Sequence, residues 1–306
     1  MDWESEYIRN FVAMVVEQGC TAHKSAGVVL PSAPVEVGAE IVADVDCICA
    51  GLPLIEQIFR ALDHKVQISL IAQDGQEVRR DEKVVELRGN AAAILRSERT
   101  ALDLLEHLSG IATTTRRLAG EVRGRRAKIC GPREATPGLR WLEEYAVELG
   151  GGKVHPASVV LLTSHHVGLV GGVKAALDQA HSLAALQLRP PAMTAYEAVG
   201  TSPGMCEARV LSVQIEVQNE SELREALDAG AEFVILKNTS LEDARRCVRI
   251  VREIRAEVMV QITGEITAAN VRAYAETGAD YLCCEKLTHS TPRTNFKLLV
   301  EQREEK

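Results

Sequence analysis

Residues 133–140 read Arg-Glu-Ala-Thr-Pro-Gly-Leu-Arg, and this octet decides the fold that the sequence predicts. It follows the short apolar stretch 127–130 and leads into a helical segment, 141–149. In an α/β barrel, a strand end that turns directly into a helix brings side chains and free backbone N–H groups to the mouth of the barrel. The octet therefore predicts a functional site at such a barrel mouth.

The chain beyond about residue 126 repeats this strand–helix pattern. The predicted strands are 127–131, 158–163, 211–217, 232–236, 257–262 and 280–284. The predicted helices between them include Ser221–Ala229, Leu241–Arg255 and Thr267–Thr277. Because helical crossovers join parallel strands, this part of the chain is predicted to form a closed or nearly closed α/β barrel.

The part before residue 110 has a different organisation. Its predicted helices cover 5–18, 53–62 and 91–109, and its short predicted strands cover 28–30, 39–43, 47–52, 65–71 and 83–88. Such alternation is typical of a sheet with helices laid across it. We therefore predict two domains, an N-terminal α/β domain over 1–110 and a barrel over 111–289, with the C-terminal segment 290–306 joining the first.

Composition limits the classes of function. The net charge of −8 argues against nucleic acid or an anionic membrane as a main partner, and no apolar run reaches membrane-spanning length. The acidic start, residues 1–4, is unlike a signal peptide, so a soluble cytoplasmic protein is expected. Eight cysteines in 306 residues do not indicate a disulfide scaffold, and we interpret them mainly as buried small apolar residues.

Several motifs accompany the octet. Ser97–Leu102 and Leu108–Thr113 read Ser-Glu-Arg-Thr-Ala-Leu and Leu-Ser-Gly-Ile-Ala-Thr. Further motifs in chain order are Tyr145-Ala146, Gly150–Gly152, His155, Glu216-Val217, 222–230, Leu236, Asn238 and Leu287–Ser290. With the octet they resemble the quinolinate phosphoribosyltransferase family, the carboxylating nicotinate-nucleotide pyrophosphorylases, whose signature is Asp-Thr-Arg-Lys-Thr-Thr-Pro-Gly-Leu-Arg. The resemblance covers about residues 90–300.

The resemblance implies a fold and a reaction. The fold is the type II phosphoribosyltransferase fold, an N-terminal α/β sandwich with an incomplete α/β barrel, and the active site is shared across a head-to-tail homodimer. The reaction is phosphoribosyl transfer to a small anionic pyridine carboxylate in NAD biosynthesis. Mg²⁺, acidic residues and a glycine-rich loop hold phosphoribosyl pyrophosphate in that family.

The resemblance also assigns roles to residues of this chain. The implied substrate-binding residues are Arg99, Arg133, Thr136, Arg140, His155 and His166. The implied phosphate-binding residues are Thr263, Gly264 and His289. Glu216 matches the first acidic residue of the metal and ribose region.

Several charged positions depart from the family pattern. The signature lysine is Glu134 here, the arginine after His155 is Pro156, and the lysine of Lys-Asp-Asn-His is Thr163. The aspartate of Leu-Asp-Asn is Lys237, the second glycine of the phosphate loop is Glu265, and Glu285 replaces a glycine near the C-terminus. Losing one transition-state contact costs about 10²–10³ in rate, so ordinary quinolinate transfer is not expected. The candidate catalytic residues are Glu134, Glu216 and Lys237, and Lys237 weakens the expectation of Mg²⁺.

Two hypotheses describe what replaces the family's charges. Glu134 and Lys237 either form an ion pair across the barrel mouth, with Lys237 where Mg²⁺ would sit, or are two independently solvated side chains. A metal or acid–base site is the second hypothesis, and Cys130, His165 and Cys284 are its possible metal ligands. The full set of its candidates is Cys130, His155, His165, His166, Glu216 and Cys284, residue types that bind zinc.

A non-catalytic paralogue is the alternative to an enzyme. It would bind a pyridine carboxylate or nucleotide, or act as the partner subunit of an active homologue. The Pro- and Gly-containing loop predicted over 186–208 is then either a tolerated surface insertion or the contact with that partner.

Overall fold

The computed structural model describes residues 1–22, 35–155, 159–185 and 212–301, which belong to two compact units. The first unit comprises Met1–Arg116, Thr136–Gly150 and Thr291–Lys306, and the second comprises Arg117–Ala135 and Gly151–Ser290. The predicted strand at 28–30, Pro156 and the loop at 186–208 lie outside the described residues. In the described ranges, no helix combines the length and apolar character needed to cross a membrane.

The helices and strands alternate along most of the chain. The helices are α1 (Glu6–Ala22), α2 (Leu52–Leu62), α3 (Ala91–Glu121), α4 (Arg140–Leu149), α5 (Ser164–Val170), α6 (Val173–Ala185), α7 (Glu220–Asp228), α8 (Leu241–Ile254), α9 (Val271–Ala275) and α10 (Lys286–His289). The strands are β1 (Glu36–Ala43), β2 (Cys47–Ile48), β3 (Gln67–Leu70), β4 (Glu77–Val78), β5 (Lys83–Asn90), β6 (Lys128–Cys130), β7 (Val159–Leu162), β8 (Ser212–Val217), β9 (Phe233–Lys237), β10 (Met259–Gly264), β11 (Tyr281–Cys284) and β12 (Phe296–Val300).

The first unit is built on an antiparallel sheet with the strand order β12-β1-β5-β3. In β5, Val85 and Leu87 are buried while Glu86 and Arg88 are exposed, the two-residue alternation of a sheet with one covered face. Helix α2 buries Ile55 among its apolar residues and contacts α1. The C-terminal strand β12 completes the sheet beside β1, because residues 296–300 pair antiparallel with 39–43.

The division into units differs from the predicted one over residues 136–150, which belong to the first unit rather than to the barrel. Polar contacts join helix α4 to other parts of the first unit. Tyr145 Oη donates a hydrogen bond to Asp74 Oδ2 at 2.8 Å, and Glu143 Oε1 lies 2.9 Å from His107 Nε2. The apolar pattern of α4 predicted a helix but carried no information about these distant partners.

The second unit is a six-stranded parallel sheet with the strand order β6-β11-β10-β9-β8-β7. From β7 to β11 each strand lies beside the next one in sequence, and β11 returns to β6, which is the order of a barrel. Among the described strands β6 and β7 do not pair, and only Lys153 bridges to β6, at Cys130. The barrel is therefore incomplete, with its opening beside β6.

The two faces of this sheet differ. Helices α6, α7 and α9 contact its strands and cover the outer face. By strand register, the opposite face, which we call the inner face, carries Cys130, Gln214, Glu216, Lys237, Gln261, Thr263 and Cys283. Helices α7 and α8 start directly after strands, where Asn219 and Ser240 cap them by accepting bonds from backbone N–H groups. The carboxyl ends of the strands, where these helices begin, therefore form the mouth of the barrel.

Candidate active site

Lys237 and Glu216 form an ion pair at the mouth of the barrel. Lys237 ends β9, Glu216 lies near the end of the neighbouring strand β8, and Nζ is 3.5 Å from Oε1. The Glu216 side chain is 13% exposed and that of Lys237 is 40% exposed, so a largely buried carboxylate meets an ammonium that solvent reaches. The predicted pair between Glu134 and Lys237 was wrong in its partner: the exposed Glu134 makes no ion pair with Lys237, whose carboxylate partner is Glu216.

Arg133 is the cation at the end of β6. Its Nη2 donates a hydrogen bond to the amide Oε1 of Gln214 on the inner face. Burial lowers the pKa of Arg133, and nearby groups that include Cys283, Cys130 and Glu134 act in the opposite direction. A lowered arginine pKa still leaves the group charged at neutral pH, so Arg133 is a partly dehydrated positive charge.

Two thiols and one imidazole lie beside Arg133. Cys130 Sγ is 3.6 Å from His155 Nε2, and Cys283 Sγ donates to the backbone oxygen of Gly131 at 3.4 Å. Cys283 pairs in register with Cys130, and burial raises the pKa of the Cys283 thiol. Cys284 follows it on the strand and therefore faces the outer side, away from Cys130. Cys284, a possible ligand of the predicted metal site, therefore does not converge with Cys130.

The remaining candidate metal ligands do not converge. His165 and His166 lie on the exposed part of α5, because β7 already ends at Leu162. The ring Nδ1 of His166 accepts from the backbone N–H of Thr163 at 3.1 Å and lies 2.8 Å from its hydroxyl, so it caps α5. Within the part of the chain that the structure describes, no group of three or more His, Cys, Asp or Glu residues is arranged to hold a metal ion. The predicted cluster of six is not formed.

A cavity of about 370 Å³ opens between the ends of β9 and β10. Its lining combines polar and apolar groups and comprises Asn238, Thr239, Ser240, Ile262, Thr263, Gly264, Glu265, Ile266 and Tyr274. Tyr274 Oη donates to the backbone oxygen of Thr239 at 3.1 Å, and Gln261 Nε2 donates to Thr263 Oγ1 at 2.8 Å. Thr263 and Gly264, the predicted phosphate-binding residues, thus border an open space.

Glu265 lines this cavity but is paired with a neighbouring residue, whereas His289, a predicted phosphate-binding residue, does not line it. Glu265 forms an ion pair with Lys286, and this hydrogen bond lowers the pKa of the Glu265 carboxyl. His289 is exposed at the end of α10 and is not among the residues lining the cavity. The Glu265 carboxylate, next to the predicted phosphate-binding residues, is therefore paired with a cation from α10.

Three of the predicted substrate-binding residues lie in the first unit, where they make local contacts. Arg99 Nε donates to Asp103 Oδ2 at 3.0 Å. The backbone N–H of Thr136 donates to Glu143 Oε2 at 3.0 Å, and Arg140 Nη1 is 3.5 Å from Glu144 Oε1. Their roles toward a ligand stay predictions.

The sequence interpretation missed three polar residues of the inner face, Gln214, Gln261 and Cys283. Strand alternation was the signal that identifies the first two, because Gln214 precedes Glu216 by two residues and Gln261 precedes Thr263 by two. Cys283 required the register between β10 and β11, which pairs it with Thr263.

The inner face does not fit Mg²⁺. This ion takes near-octahedral oxygen ligands and usually one or two carboxylates. Over the strands that the structure describes, Glu216 is the one carboxylate on the inner face, and its Oε1 already faces the Lys237 ammonium. The amide oxygen of Gln214 accepts from Arg133. The inner face therefore supplies a single carboxylate, and this carboxylate is already paired with the Lys237 ammonium.

Comparison with known proteins gives a consistent result over both units. Residues 28–109 match the family model described as quinolinate phosphoribosyl transferase, N-terminal domain, and residues 111–189 and 193–299 match that of the C-terminal domain. A probable nicotinate-nucleotide pyrophosphorylase [carboxylating] of Bacillus subtilis (strain 168) is 32% identical over 265 residues, 86% of this chain and 83% of the relative. The nicotinate-nucleotide pyrophosphorylase [carboxylating] of Mycobacterium leprae is 30% identical over 269 residues, covering 87% and 84%.

Solved structures agree with the sequence relatives. The nicotinate-nucleotide pyrophosphorylase from Francisella tularensis superposes with a TM-score of 0.80 at 26% identity, covering 95% of this chain and 96% of that one. The α/β fold with an N-terminal domain and a parallel-stranded second domain is therefore the fold of these relatives.

Proposed function

The chain belongs to the quinolinate phosphoribosyl transferase family, and from this premise we propose that it transfers a phosphoribosyl group to or from an anionic pyridine carboxylate or a related ring. In the proposed reaction the ring nitrogen forms a bond to C1 of the ribose while the C1–O bond to pyrophosphate breaks. The bonding electrons leave with the pyrophosphate, so negative charge develops where cations stabilise it.

The observation that carries the proposal is the position of Arg133. A partly buried guanidinium bonded to a neutral amide, Gln214, gains from a carboxylate ligand, because charge-assisted and bidentate bonds are the stronger ones. The nearby groups that act on its charge are the thiols of Cys283 and Cys130 and the carboxylates of Glu134 and Glu216. Because these groups already balance part of its charge, a ligand with one carboxylate near Arg133 is favoured over one with several. A ring with a single carboxylate is therefore the preferred acceptor.

The cavity beside Gly264 supports the phosphate end of the same ligand. Its hydroxyl groups come from Thr239, Ser240, Thr263 and Tyr274, and it borders the start of α8. Hydroxyls and backbone N–H groups at a helix start favour phosphate oxygens. The cavity and Arg133 both lie at carboxyl ends of strands in one sheet, as a nucleotide-sized ligand requires.

The test combines binding with turnover. Calorimetry is run with nicotinate, quinolinate, nicotinate nucleotide and phosphoribosyl pyrophosphate, and ³¹P NMR follows pyrophosphate release or consumption. We expect nicotinate to bind, and we expect pyrophosphate to be released when nicotinate and phosphoribosyl pyrophosphate are both present. Arg133→Met should weaken carboxylate binding by at least about tenfold, the loss of one charged hydrogen bond. The exposed Arg249→Met on α8 serves as the matched control and should leave binding unchanged.

The outcomes separate the alternatives. Binding of a pyridine carboxylate without turnover would favour the ligand-binding or partner-subunit role over catalysis. Absence of both binding and turnover, or an Arg133→Met variant that binds as the unmodified protein does, would refute the proposal.

A further inference from the structure

The pair of Lys237 and Glu216 places an ammonium group inside the mouth of the barrel. Glu216 is opposite Ile235 in the register of β8 and β9, so its side chain shares the inner face with that of Lys237. The carboxylate is the more buried partner, and the ammonium approaches it from the open end. An anionic ligand that enters this mouth therefore meets the ammonium before it meets the carboxylate.

The neighbouring polar groups of the inner face already have hydrogen-bond partners. Thr263 pairs in register with Lys237 and accepts a hydrogen bond from Gln261. Two residues before Glu216 on the same strand, the amide oxygen of Gln214 accepts a hydrogen bond from the Arg133 guanidinium. A divalent ion at Glu216 would have to displace the ammonium and would be repelled by it at short range.

We propose that the Lys237 ammonium, held by Glu216, replaces a divalent cation in this site and binds a phosphate oxygen of the ligand without any metal. The ammonium has three donors and lies 3.5 Å from Glu216 Oε1, so it keeps donors for the ligand while it pairs with this carboxylate. The proposal rests on the proposed function only for the identity of the ligand, a diphosphate-bearing sugar or pyrophosphate itself. The electrostatic replacement is a property of the protein alone and is testable without turnover.

Metal binding is tested first, by electron paramagnetic resonance of Mn²⁺ with purified protein. The unmodified protein should hold no Mn²⁺ at Glu216. Lys237→Asp places a second carboxylate beside Glu216 and should create a site for one Mn²⁺ ion, which the double variant Glu216→Gln/Lys237→Asp should lose. Lys174→Asp is the matched control, because it also sets a carboxylate beside an existing one, Asp178, on the exposed surface of α6. This control should bind no Mn²⁺.

Two results of this experiment overturn the proposal. One is a stoichiometric Mn²⁺ ion in the unmodified protein that Glu216→Gln removes. The other is a Lys237→Asp variant that has an unchanged circular dichroism spectrum and melting temperature but binds no Mn²⁺. Neither result depends on catalysis, so a protein without turnover still decides the question.

Ligand binding is tested second, with pyrophosphate as the probe in calorimetry. Its dissociation constant should be nearly the same in EDTA as in Mg²⁺. Lys237→Met should weaken binding by about tenfold or more, as expected for a charged hydrogen bond, and Lys174→Met should not. Binding only in the presence of Mg²⁺, or no binding in either buffer, would overturn the assignment of Lys237 as the group that holds phosphate.

Discussion

Gly110 offers a substitution for which helix propensity and packing predict opposite results. It lies inside α3, where alanine is favoured over glycine by roughly 0.8–1.0 kcal/mol. A β-carbon at this position, however, would lie 2.6 Å from the backbone oxygen of Pro292 and 3.2 Å from Cα of Arg293. These are backbone atoms, so no side-chain rotation relieves the contact.

The C-terminal segment cannot move away without breaking hydrogen bonds to the same helix. Thr294 donates to the backbone oxygen of Glu106 through both its N–H, at 3.3 Å, and its hydroxyl, at 3.1 Å. The N–H of Phe296 donates to Glu106 Oε1 at 3.2 Å. With each bond contributing about 1 kcal/mol, losing them costs about 3 kcal/mol, or about 2 kcal/mol after the gain in helix propensity.

We therefore expect Gly110→Ala to lower the free energy of unfolding by about 2 kcal/mol. Gly120→Ala is the matched control, because Gly120 is in the same helix and no heavy atom lies within 4 Å of its added β-carbon. That variant should be unchanged or more stable by up to about 1 kcal/mol. Urea unfolding followed by circular dichroism measures both. A Gly110→Ala protein as stable as Gly120→Ala would refute the packing argument.

Two further predictions concern buried carboxylates. Asp280, 5% exposed, accepts from Val260 N–H and from Arg252, each at 2.7 Å, and also pairs with Arg126. Asp280→Ala should cost about 3–5 kcal/mol in urea unfolding, and a loss below about 1 kcal/mol would contradict the role of this network. Burial raises the pKa of Glu143, but hydrogen bonds from His107 and from Thr136 outweigh it and lower the pKa overall. Because a lowered carboxyl pKa stabilises the fold above the unfolded value of about 4.3, this contribution should disappear as the pH falls through the lower folded value. Glu143→Gln should flatten the loss of melting temperature with acid, and an unchanged acid profile would argue against it.

The barrel was predictable because its strands are short apolar runs separated by amphipathic helices. The predicted strand 257–262 and the observed Met259–Gly264 differ by two residues at each end. The position at which β7 ends determines what His166 does. Because β7 ends at Leu162 and Thr163 begins a helical turn, His166 caps α5. A residue pattern marks such an end only to within a few residues.

Partners across strands were less predictable than the strands themselves. Lys237 pairs with Glu216 because β8 and β9 are adjacent, whereas Glu134 follows β6, from which β9 is separated by β11 and β10. Whether Cys283 or Cys284 shares the inner face with Cys130 depends on the register between β11 and β6 in the same way. Register is set by backbone pairing with another strand, and no single segment contains it.

The opening of the barrel has a consequence for how ligand preference changes among related proteins. Arg133 follows an edge strand, whose second side is bridged by the single residue Lys153 through two backbone hydrogen bonds. Lys237 ends a strand that is paired along both sides. Residues that follow β6 are therefore free to vary in length and direction at small cost to the sheet, while those that follow β9 are fixed. Under the proposed function, new ring specificities should arise by changes on the Arg133 side, while the side of Lys237 stays constant.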